Sequence, residues 1–235
     1  MADVCDSMRW LAYKGTVWFL RLILSPFVRV RVLHRERTVM KGPCILACNH
    51  VSHFDPPLIA GTIRRQVEWM AMAELFSFRM FGACLRFIGT YPVDRTRADR
   101  ASVRTTLTRL AQGRMVGIFP EGGIRDGAAG VLGGAAPVPG MGALAQISGA
   151  PVLPCVILGS DRLYAKHSYL PFRRVTVWIG FGEPLRCGSR EKIERSGFDA
   201  RLADAQRALQ RELSAHFHLT EDDLPKSPQQ RANAQ

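Results

Sequence analysis

Pro43-Cys44-Ile45-Leu46-Ala47-Cys48-Asn49-His50-Val51-Ser52-His53-Phe54-Asp55-Pro56-Pro57 is the stretch from which the fold can be read. Residues 43–48 form a short apolar run opened by proline, the pattern of a strand buried on both faces. A polar turn follows. Asp55-Pro56-Pro57 then reads as a helix start, because proline fits a first helical turn, where the backbone N–H has no intrahelical partner. Strand, polar turn and helix in so short a span are the opening half of a βαβ unit.

The alternation continues outward. Residues 56–65 read as a helix, 67–72 as a strand, 74–87 as helical and 90–93 as a short strand. In 98–112, Val103, Leu107, Leu110 and Ala111 share one helical face, and Gly113 supplies a C-terminal stop. Residues 116–119, 152–158 and 175–179 read as strands, and 141–148 as a helix closed by Gly149. Residues 191–217 are helical with a break expected at Gly197, while 122–142, dominated by Gly, Ala and Pro, read as a loop. The expected fold is therefore a single α/β domain over residues 40–218, a largely parallel central sheet flanked by helices. A polar tail over 219–235 lacks apolar anchors and is expected to be disordered.

Residues 1–39 read as a membrane-associating helical segment. Between 8 and 28 the chain carries Trp10, Leu11, Trp18, Leu22 and Phe27, yet Arg21 interrupts the run before the ~20 apolar residues a span requires. Ser7, Lys14 and Arg21 recur every seventh residue, with Ser25 close by, so an apolar cylinder bears one polar stripe. Such an amphipathic helix lies in a bilayer interface, its cations reaching the phosphates; the plainer alternative is that it packs on the domain. Arg29, Arg31, Arg35 and Arg37 follow and suit anionic headgroups. Asp3, Asp6 and the lack of a small-residue cleavage site argue against a signal peptide.

The net charge of +12 favours an anionic partner: nucleic acid, an anionic bilayer or a phosphorylated substrate. None of the cysteines forms a C-x-x-C, and Cys44 and Cys48 flank a buried strand, so no metal site is expected. Small hydrophobes in a reducing compartment is the better reading, which places the domain on the cytoplasmic face. No nucleic-acid-binding motif is present. The absence of G-x-S-x-G disfavours a hydrolase.

Ligands in parallel sheets gather outside the carboxyl ends of the strands, which is where Asn49, His50 and Asp55 fall. Five residues apart, His50 and Asp55 do not share a helical face; a turn between them lets the carboxylate orient the imidazole. Asp55 as a mere N-cap is the alternative. Glu121, with Gly122 and Gly123, follows the 116–119 strand and reaches the same edge. Arg95 stands at the end of the 90–93 strand, with Arg97 and Arg100 beyond, and suits a phosphate.

Together these segments resemble the glycerolipid acyltransferase family, which includes the 1-acylglycerol-3-phosphate acyltransferases. The resemblance spans residues 40–185. It is carried by Asn49-His50 with Asp55, by Gly89 to Arg95, by Phe119-Pro120-Glu121-Gly122 and by Pro151-Val152-Leu153-Pro154. It implies His50 as general base on an acceptor hydroxyl, Asp55 as its orienting partner, and direct attack on the thioester of acyl-CoA or acyl carrier protein. Arg95, Glu121, Gly122, Arg125 and Asn49 would then bind substrate. The thioester is a co-substrate, and no cofactor is implied. The partners implied are a lysophospholipid acceptor, lysophosphatidic acid first, and an anionic membrane surface. A lyso-aminolipid acceptor and a non-catalytic lipid-binding protein of the same fold are the alternatives. Two departures bear on the acceptor: Gly123-Ile124-Arg125 stands where the family has Thr-Arg-Ser, and Met72 where it has lysine.

Overall fold

The computed structural model describes residues 2–94, 99–164, 174–188 and 192–226. Its centre is a seven-stranded sheet in the order β1-β7-β6-β2-β5-β3-β4. The strands are β1 (Val28–Leu33), β2 (Cys44–Cys48), β3 (Val67–Met72), β4 (Tyr91–Val93), β5 (Met115–Ile118), β6 (Val152–Leu158) and β7 (Val175–Phe181). Every neighbouring pair is parallel except β6 with β7. The largely parallel α/β architecture expected from the sequence is the one observed.

Central strands β2 and β6 are buried along their whole length, which explains their unbroken apolar sequences. Their alternate side chains divide the core. Cys44, Leu46 and Cys48 pack with Leu58, Ile59, Leu24 and Phe27 on the face carrying α1 (Ala2–Leu24) and α2 (Asp55–Ala60). Ile45 and Ala47 pack with Leu110, Met141, Ala145 and Phe198 on the other, which carries α4 (Arg100–Ala111), α5 (Met141–Ser148) and α6 (Lys192–Phe217). Helix α3 (Arg79–Phe87) lies beside α1.

Residues ahead of position 40 supply more than a helix. The alternation Val28-Arg29-Val30-Arg31-Val32 pairs with β7 as an edge strand, so two arginines expected to follow the helix as a headgroup-binding string lie on β1. Helix α1 both packs and presents: Tyr13 is buried and its hydroxyl accepts from the Val67 N–H at 3.2 Å, while Trp18, Phe19 and Leu22 are exposed. Helix α6 runs straight through Gly197, where a break was expected. Burial of Phe198, Leu202, Leu209 and Leu213 along it outweighs the roughly 1 kcal/mol cost of a helical glycine. The 122–142 loop contains two short 3-10 turns, Gly127–Ala129 and Val131–Gly133. Of the expected tail, 227–235 lies outside the described residues, and Glu221–Asp223 forms a 3-10 turn.

Candidate active site

The chain leaves β2 at Cys48 and reverses through residues 49–54 before α2 begins at Asp55. Pro56 and Pro57 have no N–H, so the first turn of α2 offers Asp55 little to cap. Its carboxylate turns back instead. Oδ2 accepts from the backbone N–H groups of Val51 and Ser52 at 2.8 and 2.9 Å and lies 2.9 Å from His50 Nδ1. Oδ1 accepts from the Ser160 hydroxyl at 2.5 Å. Asp55 is fully buried and His50 nearly so. Both carboxylate oxygens receive donors, and the carboxylate facing the ring fixes the imidazole with its proton on Nδ1. Nε2 is left without a partner among the described residues.

The ring is held from its face as well. His50 stacks on Phe119 with centroids 3.9 Å apart, and Phe119 stacks on Trp69 at 5.0 Å. This three-ring column needs Gly117 on β5: a Cβ there would stand 2.4 Å from the Trp69 ring. The Gly in Val116-Gly117-Ile118-Phe119 is thus a packing requirement, made by β3 and felt at His50.

Glu121 sits beneath the same loop. Its Oε2 accepts from the His50 N–H at 2.7 Å and its Oε1 from the Val131 N–H at 2.8 Å, clamping the histidine loop to the 3-10 turn at Val131. Burial pushes its pKa up to about 7; the two N–H groups and Arg125 pull it down, and the Asp55 charge adds to the rise. The Arg125 N–H donates to the His50 carbonyl at 2.8 Å, while its side chain is exposed. A cavity of about 140 Å³ beside them is lined by Asn49, Glu121, Arg125, Asp126 and Gly130 among others. Gly122 has φ of +67° and donates its N–H to the Phe119 carbonyl, so that amide is not free for a substrate oxygen.

Asn49 was expected to touch substrate, and it bonds to the sheet. Its amide donates to the Ile157 carbonyl at 3.0 Å and accepts from the Ile157 N–H at 2.8 Å, tying the end of β2 to β6. Arg95 lies outside the described residues. Ser160, Phe119 and Trp69 were missed. The first had a signal in Gly159-Ser160, polar residues just after the apolar β6, hence at the same sheet edge. The aromatic column had none, because it depends on which strands are neighbours. Among the described residues no three His, Cys, Asp or Glu side chains come together to hold a metal ion.

A histidine oriented by a buried carboxylate, with its far nitrogen open, can take a proton from a hydroxyl and return it to a leaving group. Comparison with known proteins supplies the class of reaction. The family model described as Acyltransferase matches residues 29–158. The chain is 31% identical to a 1-acyl-sn-glycerol-3-phosphate acyltransferase of Bacillus subtilis, over 74% of this chain and 82% of that protein. It is 32% identical to a lyso-ornithine lipid O-acyltransferase of Rhizobium meliloti, over 50% of this chain and 41% of that one. The crystal structure of a 1-acyl-sn-glycerophosphate (LPA) acyltransferase from Thermotoga maritima shares the fold, with a TM-score of 0.64 at 23% identity over 85% of this chain and 78% of that chain. The chain belongs to the acyltransferase family, as an O-acyltransferase.

Proposed function

We propose that the enzyme moves a fatty acyl group from a thioester, acyl-CoA or acyl carrier protein, to the free hydroxyl of lysophosphatidic acid. One observation carries the catalytic assignment: His50 Nδ1 is held on Asp55 while Nε2 has no partner among the described residues. In this reading Nε2 takes the acceptor hydroxyl proton as its oxygen attacks the thioester carbonyl. Asp55 supports the imidazolium formed. The tetrahedral intermediate collapses, the C–S bond breaks, and His50 returns the proton to the departing thiolate. Ester and free thiol account for every atom, without a covalent acyl-enzyme and without a cofactor. Glu121 serves by holding the His50 backbone, and Arg95 and Arg125 supply cations for the acceptor phosphate.

The acceptor comes from a bilayer, and the exposed outer face of α1 is the element we assign to meet it on the cytoplasmic side. No helix among the described residues is long and apolar enough to cross a membrane. A lyso-aminolipid acceptor is the second reading, favoured by the likeness to the Rhizobium enzyme and by Met72 at a position where the family has lysine.

The test offers one acyl donor to the enzyme with lysophosphatidic acid, lysophosphatidylglycerol or lyso-ornithine lipid in parallel, and products are identified by mass spectrometry. Phosphatidic acid as the dominant product, formed also when palmitoyl-CoA is the donor, is expected. Preferential acylation of the ornithine lipid would move the assignment to the second reading.

A further inference from the structure

We propose that α3 is a second membrane-inserting element, and that with α1 it seats the catalytic edge of the sheet on an anionic bilayer. The inference rests on the lipid-acceptor reading and extends it to residues that reading does not use.

Helix α3 exposes a run of large apolar side chains. Met80 is 89% exposed and Phe78 68%, with Phe81 and Phe87 also on the surface. Single exposed hydrophobes are ordinary; a cluster on one short helix marks an interaction surface. The helix is closely packed in this pose. A Cβ on Gly82 would come within 2.8 Å of the Phe76 backbone, so its inner side lies directly on the turn Ala73–Phe76 and the aromatic side faces outward.

Topology places this patch. Strand β3 runs parallel to β5, and β5 to β2, so the carboxyl end of β3 lies at the His50 edge. The chain passes from there through Ala73–Phe76 into α3, putting Phe78, Met80 and Phe81 near that edge. Helix α1 reaches it from below. Tyr13 is bonded at Val67, the amino end of β3, and the chain beyond Leu24 enters β1 at Val28 opposite Val175. Because β7 is antiparallel to β6, Val175 too lies towards the carboxyl edge. Helix α1 touches α3, and its second half, with the exposed Trp18, Phe19, Leu22 and Ile23, runs on from β3 towards β1. Both apolar surfaces thus reach the carboxyl edge of the sheet, one towards β1 and one beside β3.

Charge selects the occupant. Helix α3 contains no acidic residue; Arg79 stands at its start and Arg86 lies over the Phe76 ring at 5.1 Å. Lys14 over Trp10 and the exposed Arg21 do the same for α1. Exposed apolar side chains flanked by cations match an anionic lipid interface, which deforms around them.

The decisive variant is Phe78→Ser/Met80→Ser/Phe81→Ser, made at exposed positions to which no catalytic role is given. In flotation with phosphatidylcholine–phosphatidylglycerol vesicles, binding is expected to fall at least roughly tenfold. Turnover on a short-chain, water-soluble lysophosphatidic acid is expected to stay at the wild-type rate. In a Cys5→Ser/Cys187→Ser background, an environment-sensitive fluorophore on the exposed Cys84 of α3 should shift to the blue on those vesicles. Unchanged vesicle binding by the triple variant, or a label that stays in water, overturns the proposal. So does a lipid-free dimer that the triple variant abolishes while vesicle binding persists, since a second copy would then own the surface. Vesicle binding and the label respond whether or not lysophosphatidic acid is the acceptor, so failure of that reading is told apart by the turnover arm.

Discussion

Two buried glutamates at opposite edges of one sheet are treated differently by the fold. Glu68, at the amino end of β3, faces two guanidinium groups: Arg109 at 2.6 Å and Arg114 at 2.9 Å. Glu121, after the carboxyl end of β5, receives two backbone N–H groups and no side-chain cation within ion-pair distance among the described residues. The first arrangement neutralises a charge and ties β3 to α4 and β5. The second leaves a carboxyl whose pKa has moved to about 7, beside an imidazole with one nitrogen open. One edge of the sheet is locked by ion pairs; the other holds its carboxylates with N–H and O–H donors.

Four outcomes test that contrast, in falling order of size. Asp55→Asn removes the carboxylate that fixes His50 and is expected to lower turnover on the order of 100- to 10,000-fold. Initial rates on a folded sample check it, and a loss below tenfold would mean that the His50–Asp55 pair is not the working centre. Glu68→Ala takes the shared carboxylate from two partly buried guanidinium groups, which should cost about 3 kcal/mol in denaturant unfolding. Turnover per folded molecule should stay within about twofold of wild type, as removal of a structural group predicts. A large rate loss without destabilisation would erase the distinction between the edges.

Third is pH. Glu121 titrates near 7 when folded, against an ordinary 4.5, so its contribution to stability is fully present below the ordinary value and is lost as pH rises through about 7. Across that window wild type should lose about 3 kcal/mol relative to Glu121→Gln. Parallel stability curves for the two proteins would show that burial does not shift this carboxyl. The smallest effect belongs to Ser160→Ala, which takes one charge-assisted donor from Asp55. It should slow turnover roughly tenfold, with Ser160→Thr recovering part of the rate.

Much of this was legible in the residues because it is local. The apolar runs of β3 and β6 and the glycine closing α5 at Gly149 have the observed bounds. The His50–Asp55 spacing with prolines after it contains its own geometry: a turn short enough to bring the groups together and a helix start with no N–H to distract the carboxylate. What escaped depends on partners distant in sequence. Strand β1 was hidden because every second residue is arginine, and an edge strand can leave such residues in solvent. Asn49 was expected to bind substrate through the family resemblance, and its pairing with Ile157 on β6, far away in sequence, could not be read from the segment itself. The Trp69–Phe119–His50 column requires the neighbour relation of β3 and β5, which no single segment reveals. Likewise α1 was read as apolar almost all round, and only the packed structure separates the face that holds Tyr13 from the face that shows Trp18.

The most direct test of the central claim follows thiol release from palmitoyl-CoA as lysophosphatidic acid is added, for wild type and His50→Ala side by side. The account predicts release that requires the acceptor, and a fall of about 100-fold or more in the folded variant. Acceptor-dependent release at the wild-type rate from His50→Ala would contradict it.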